Sequence, residues 1–231
     1  MKPIRIFRHA ASEGPGYLAQ FLDARQLPFH VIEIDRGDAV PARVDDVSAL
    51  VFMGGDMSVN DALPWIADEL ALIRRAAQMR LPVLGHCLGG QLISKALGGR
   101  VTRNPVPEFG WFDVERVAGP VAEAWLANLP ARFEVYHWHG ETFSIPEGAT
   151  HILRNAACAH QAFVYDRMLA MQCHIEVTAA MVREWAMLGA QSLQPGPTVQ
   201  SAATMLEDVA GRSARLHHIA DALYTRWLEA F

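Results

Sequence analysis

Lysine is almost missing from this chain: Lys2 and Lys95 are the only two, and arginine carries the rest of the positive charge. With 25 acidic residues against 20 basic ones the formal charge is -5. No basic surface is on offer for a phosphate backbone or an anionic membrane, so the sequence points away from nucleic-acid and membrane partners. Cysteine is scarce too. Cys87, Cys158 and Cys173 are an odd set with neither metal spacing nor a disulfide framework, which suggests reduced thiols in a cytoplasmic protein. No apolar run approaches the ~18 residues of a membrane span. The opening residues, MKPIRIFRHAASEGPG, lack the apolar stretch of a secretory signal, and Arg5 and Arg8 interrupt them. There is no G-x-x-x-x-G-K-[ST] phosphate loop, no internal repeat and no low-complexity tract.

What is there is a globular composition, 51% hydrophobic and 19% charged over 231 residues. A single domain of that size buries roughly 70% of its unfolded surface and needs no staples, so one domain over 1–231 is expected. IRIF (4–7), FHVIEI (29–34), SALVFM (48–53) and PVLGHC (82–87) are β-type runs, nearly continuous in apolar residues as in parallel strands covered on both faces. Between them lie amphipathic segments. One carries Leu18, Phe21 and Leu22. Another runs from Pro64 to Met79, with Ile66, Leu70, Ile73 and Ala77 on one face, Asp68 and Glu69 near its start and Arg74 and Arg75 near its end. Leu88 to Leu97 reads as a short helix closed by Gly98 and Gly99. The alternation predicts an α/β fold with an open, mostly parallel sheet flanked by helices. From 101 to 174 short β runs (FDVERV, RFEVYHW, FVYDRMLAMQCH) predict a smaller β-rich part. A helix near 178–190 and a helical tail to Phe231 follow, the tail with an apolar stripe of Leu216, Ile219, Leu223 and Trp227. The stripe packs on the parent domain or forms a homo-oligomer contact.

The chemistry is concentrated at Gly85-His86-Cys87-Leu88-Gly89. This is G-x-C-x-G between a predicted strand and a predicted helix, the thiol counterpart of the nucleophile elbow. A lone cysteine in an apolar chain is ordinarily a small buried hydrophobe. Two glycines at a strand-to-helix corner argue otherwise: they let backbone pass close to a sharp turn, and the helix beginning at Leu88 presents free N–H groups and a positive dipole end that lower a thiol's pKa. A thiol nucleophile also needs a base and a group to orient it. In Met171-Gln172-Cys173-His174-Ile175-Glu176, His174 and Glu176 lie two apart and point to one side of an extended segment.

At these residues the chain resembles the class I glutamine amidotransferases, the family with a Cys-His-Glu set. Met53-Gly54-Gly55-Asp56-Met57-Ser58 is similar to the family's G-G-P-x-S loop, Gly85 to Gln91 to its G-x-C-x-G-x-Q block, Trp138-His139-Gly140-Glu141 to its S-H-G-D block, and Gln172 to Glu176 to Q-F-H-P-E. Glu108-Phe109-Gly110-Trp111 adds a likeness to the small stand-alone branch labelled GMP-synthase-like. The resemblance implies a flavodoxin-like fold and a set of roles. Cys87 attacks a glutamine side-chain amide, His174 shuttles the proton, and Glu176 orients His174. The N–H groups of Gly55 and Leu88 form an oxyanion hole. Gln91 and the backbone around Trp138, His139 and Gly140 hold the two ends of the substrate. A glutamyl thioester, ammonia and glutamate follow, with no cofactor and no metal. Full GMP synthases carry an S-G-G-x-D-S loop for their ATP chemistry; this chain has none, so a separate synthetase or acceptor subunit is implied.

The chain departs from the family pattern at Asp56 in place of Pro, at His86 beside the nucleophile, at Trp138, and at Cys173 and Ile175 around His174. His86 is expected to point away into the structure. Three readings stay open: a glutaminase, a hydrolase of γ-glutamyl peptides or conjugates using the same residues, and a non-catalytic or redox thiol protein. Outside these blocks, His137 and His139 alternate on a strand without further ligands close in sequence. His9 and Cys158 read as structural, His217-His218 as surface, and Trp138 as the one tryptophan in a site block.

Overall fold

Parallel strands buried on both faces build the centre of the computed structural model, which describes residues 2–190 and 193–229. The chain runs β1 (Ile4–Arg8), α1 (Gly16–Ala24), β2 (Phe29–Glu33), β3 (Ala49–Phe52), α2 (Pro64–Gln78), β4 (Val83–His86) and α3 (Leu88–Ala96). It continues with β5 (Val101–Arg116), α4 (Pro120–Trp125), β6 (Arg132–Phe143), β7 (Thr150–Arg154), β8 (Ala162–Tyr165), β9 (Met168–Met171), α5 (Ala179–Gly189), α6 (Ala202–Leu206) and α7 (Val209–Leu228). All nine strands share one sheet in the order β2-β1-β3-β4-β9-β8-β7-β5-β6. The pairings from β2 to β9 are parallel, and those from β9 to β6 are antiparallel. The β-rich part expected from the sequence is therefore the antiparallel flank of the same sheet. The run FVYDRMLAMQCH is a hairpin, β8 then β9, turned at Asp166 with φ +49°.

Alternate residues of the central strands feed two cores. Ile4, Ile6, Val51, Leu84 and Met171 face α1, α5 and α7, whereas Phe7, Leu50, Phe52, Val83 and Ala170 face α2 and α3. The stripe Leu216, Ile219, Leu223 and Trp227 is buried in the first core, so α7 packs on the sheet. Positions 230 and 231 of the expected tail lie outside the described residues. On α2 the buried face is Ile66, Glu69, Leu72, Ile73 and Ala76, turned by one residue from the expected one. The reason is Glu69: it is fully buried and faces His9 at 3.1 Å, where the sequence suggested a dipole-matching surface acid. The strands β7 and the helices α4 and α6 were not anticipated, because THILR, PVAEAW and AATML are too short for a clear period.

The loops that follow β1, β3, β4 and β9 leave from the carboxyl ends of adjacent parallel strands. In an open α/β sheet this edge is where ligands bind.

Candidate active site

Cys87 sits at the end of β4 with φ +50° and ψ -108°, a region that non-glycine residues rarely occupy and that marks a functional constraint. Its N–H donates to the Met171 carbonyl at 2.8 Å, tying the corner to β9. The flanking glycines are there for contact. A Cβ on Gly85 would stand 2.5 Å from the Gly89 carbonyl, and one on Gly89 would collide with the Phe52 carbonyl of β3. With hydrogens there instead, α3 seats directly on the sheet and aims the Cys87 side chain into a pocket of about 560 Å³. The thiol is 6% exposed. Its sulfur lies 3.7 Å from the Trp138 carbonyl and accepts from Gln172 Nε2 at 3.6 Å, and Gln172 Oε1 in turn accepts from Gln91 at 3.2 Å.

His174 and Glu176 follow β9 in an extended segment, and they do point to one side. The backbone of His174 is held by a 2.8 Å bond to the Tyr136 carbonyl. Its ring Nδ1 meets Glu176 Oε1 at 2.6 Å. The other ring nitrogen, Nε2, is buried on the Cys87 side with no hydrogen bond of good geometry. Burial opposes protonation of His174, yet Glu176 and then Cys87 lift its pKa well above the usual histidine value. Burial pushes the Cys87 thiol up, against the pull of His174. Burial thus works against the depressed thiol expected from the helix N-terminus, while His174 works for it. A harder thiol is matched here by a stronger base.

His86 does point inward, and it has a partner the sequence did not suggest. It is completely buried, 3.0 Å from the Tyr224 hydroxyl of α7 and 3.6 Å from Glu176 Oε2. Glu176 thus lies between two imidazoles. Against burial, which would raise it, His86 and His174 bring its pKa down to about 2. His217, expected at the surface, stacks on Tyr17 at 3.8 Å and its Nε2 lies 3.1 Å from the Val177 carbonyl, so α7 is held both to α1 and to the segment next to Glu176. Trp185 was likewise unexpected: its ring stands edge-on to His174 at 4.8 Å and lines the pocket.

Gly55 and Leu88 come together as well. A Cβ on Gly55 would lie 2.8 Å from the Leu88 side chain. Leu88 opens α3, so its N–H has no partner inside the helix, and neither N–H meets a protein acceptor among the described residues. Trp138 and Gly140 line the pocket, with Phe109 packed edge-on against Trp138 at 5.0 Å. His139 reaches the pocket too, but its ring is held by Glu108 at 3.1 Å and by the Glu141 carbonyl at 2.9 Å. Glu108, His137 and His139 are all buried, with candidate ligand atoms within 4.8 Å of one another. The carboxylate accepts from Asn155 at 2.6 Å and from Gln161 at 2.7 Å and faces His139, while His137 Nδ1 is buried with no hydrogen-bond partner among the described residues. Glu108 joins the histidines only through the β5–β6 pairing, which opposes it to His139.

One pocket residue had no sequence signal. Glu13, in the loop after β1, is 5% exposed and lies against Gly54, which also abuts His174. Burial pushes its pKa up to about 7; His174 opposes this and Asp56 adds to it. The folded state therefore holds a proton between about pH 4.5 and 7 that the unfolded chain has lost, so stability falls as pH rises through that window. Glu13→Gln removes the penalty. It is expected to stabilise the fold by up to about 3 kcal/mol above pH 7 and by little at pH 5, read as the pH dependence of the urea midpoint. A gain that is the same at both pH values would refute the buried-carboxyl account.

The chain is similar to known proteins over most of its length. The family model for class-I glutamine amidotransferases matches residues 17–183. A crystal structure of a glutamine amidotransferase from Methylobacillus flagellatus superposes with a TM-score of 0.96 at 46% identity, covering 100% of this chain and 96% of that one. The glutamine amidotransferase-like protein YfeJ of Salmonella typhimurium is 28% identical over 180 residues, 75% of each chain. The glutamine-hydrolysing GMP synthase of Thermomicrobium roseum is 36% identical over 130 residues, 55% of this chain but 23% of that protein, so the chain spans about a quarter of the length of the full synthases it matches. On the family match and the shared fold, this chain belongs to the class-I glutamine amidotransferase family.

Proposed function

We propose that the chain is a cysteine-dependent amide hydrolase acting on the γ-carboxamide of glutamine or of a γ-glutamyl conjugate. The observation that supports it best is the 2.6 Å bond from the buried His174 to Glu176, with His174 next to the Cys87 thiol, each shifting the other's pKa, and Cys87 lining the pocket. Cys87 Sγ attacks the carbonyl carbon as its proton passes to His174 Nε2. The carbonyl oxygen becomes an oxyanion facing the N–H groups of Gly55 and Leu88, an arrangement typically worth a few kcal/mol per donor. His174 returns the proton to the nitrogen, the C–N bond breaks and the amine leaves. Water, activated by the same imidazole, then adds its OH to the thioester carbon and returns a proton to sulfur, giving glutamate. Glu176 stays ionised and holds the tautomer of His174 that keeps Nε2 facing the thiol.

On this reading residues 1–231 act as one domain in the cytoplasm, where the three free thiols stay reduced. Ammonia produced from glutamine is handed to a separate synthetase subunit, as the likeness to part of a GMP synthase suggests. Gln91, tied to Gln172, and the main chain at Trp138 to Gly140 bind the α-amino and α-carboxylate end.

A glutamine analogue with a chloromethyl ketone in place of the amide tests the reading. Peptide mapping by mass spectrometry is expected to find one adduct, on Cys87, that excess glutamine suppresses. An adduct spread over Cys158 and Cys173, or no protection by glutamine, would remove the nucleophile assignment.

A further inference from the structure

The pocket has an uneven charge. Glu13, Asp56 and Glu141 line it, and no lysine or arginine does. Its other wall is aromatic: Phe109, Trp138 and Trp185, with Trp138 and Trp185 ring centroids 5.7 Å apart and Phe109 against Trp138. Carboxylates and aromatic rings in one pocket, with no lysine or arginine among the described lining residues, form surroundings that attract an ammonium group.

Where the carboxylates lie decides which end of a substrate they meet. Glu13 and His174 both abut Gly54, and Asp56 follows Gly55 directly. In the reaction above, His174 delivers its proton to the departing nitrogen. Whatever is attached to that nitrogen extends past His174, toward Glu13 and Asp56. Glu13 and Asp56 are therefore on the leaving-group side of the thiol, whereas Glu141 follows Gly140 at the glutamyl α end. The pocket, at about 560 Å³, falls within the range of cavities that enclose ligands larger than one amino acid. Ammonia alone would leave that side unfilled. The carboxyl of Glu13 accepts no hydrogen bond from a protein donor among the described residues, and burial, with Asp56 adding to it, lifts its pKa to about 7 against the opposing charge of His174. A ligand ammonium is the group that satisfies it.

We infer that the preferred substrates are γ-glutamyl amides whose leaving amine carries a second, positively charged amino group, with Glu13 and Asp56 as the residues that select it. This rests on the hydrolase reading and names its substrate class. Balance is as before: the C–N bond breaks, the carbonyl carbon bonds to Cys87 sulfur and then to water, and the diamine leaves with one proton from His174.

Three γ-glutamyl amides matched in length make the test: those of 1,5-diaminopentane, hexylamine and 6-aminohexanoate. They end in an ammonium, a methyl and a carboxylate. Glutamate release is measured at pH 8, with glutamine as a fourth substrate. The diamine conjugate is expected to exceed the hexylamine conjugate by about tenfold or more in kcat/KM, with the acid conjugate lowest. Glu13→Gln is expected to bring the kcat/KM ratio of the diamine to the hexyl conjugate to within about twofold, the ratio being read within the variant itself. Equal rates for the three conjugates, or a ranking that Glu13→Gln does not alter, overturns the charge selection while the hydrolase reading stands. Should no substrate turn over, the hydrolase reading fails by itself. The selection is then decided by binding: quenching of Trp138 and Trp185 fluorescence in Cys87→Ala by the diamine and hexyl conjugates, where equal Kd values overturn it and a tighter diamine Kd that Glu13→Gln abolishes supports it.

Discussion

Cys87→Ala is expected to lower kcat for γ-glutamyl amide hydrolysis by about 10⁶-fold, His174→Ala by about the same, and the double substitution by no more than either alone, because groups that act as one unit are not additive. The residual rate comes from the pocket and the N–H groups of Gly55 and Leu88, which neither change removes. Glu176→Gln separates the third member. It keeps the shape of the side chain but loses the charge that holds His174 at 2.6 Å, so the imidazole is no longer fixed in the tautomer that leaves Nε2 for the thiol. The expected loss is about 10⁴-fold in kcat with KM nearly constant. Burial gives the variant a second signature. Glu176 has a pKa of about 2 against about 4.5 when unfolded, so its stabilisation is present above pH 4.5 and is lost as pH falls through the folded value. Glu176→Gln therefore removes up to about 3 kcal/mol at pH 7 and less than half of that at pH 3. Rates and urea midpoints at the two pH values check both effects. Activity within tenfold of wild type in Glu176→Gln would show that His174 is oriented by something else, with His86 and Tyr224 the first residues to test.

The parts of the site that lie along one short stretch were legible in the sequence. G-x-C-x-G names its own corner, because only glycine fits where α3 meets the sheet. H-x-E names its own geometry, because extended residues two apart share a side. The parts built from distant segments were not. Glu13 stands 161 positions before His174 and carries no motif; it enters the pocket because β1 lies beside β3 in the sheet. Tyr224 comes from the far end of the chain, and it meets His86 because the apolar stripe of α7 is buried against the same face as β4. Glu69 was misread for a related reason: an acid in the first turns of a helix suits the dipole, and only the fold shows that His9 waits beneath it. Local pattern reports local geometry, whereas charge pairs across a sheet follow from topology, which period and propensity do not encode. The same limit explains the pKa of Cys87. The helix N-terminus is visible in sequence, but the depth of burial that opposes it is not.

Gly89→Ala is expected to damage folding and catalysis together, since the two depend on one contact. The added Cβ would strike the Phe52 carbonyl, with the carbonyl carbon at 2.6 Å and the Phe52 Cβ at 2.8 Å. These are atoms of β3, the strand paired with β4 in the middle of the sheet, and they have no room to retreat. The helix must lift instead. An overpacked core contact of this kind costs about 1–3 kcal/mol, and more where backbone meets backbone. Lifting α3 also moves Leu88, whose N–H is proposed to share an oxyanion site with Gly55, and a misplaced donor there costs about 10²–10³ in kcat. Gly98→Ala is the control. It ends the same helix with φ +92°, but a Cβ there meets nothing within 4 Å, so it strains the turn by about 1 kcal/mol without shifting the helix start. The expected result is a stability loss in both variants and a large fall in kcat in Gly89→Ala alone, read from urea melts and from glutamate release on the folded fraction. A Gly89→Ala protein with normal kcat would mean that the seating of α3 on β3 does not set the position of the oxyanion donors, and that the strained φ of Cys87 alone carries the geometry of the corner.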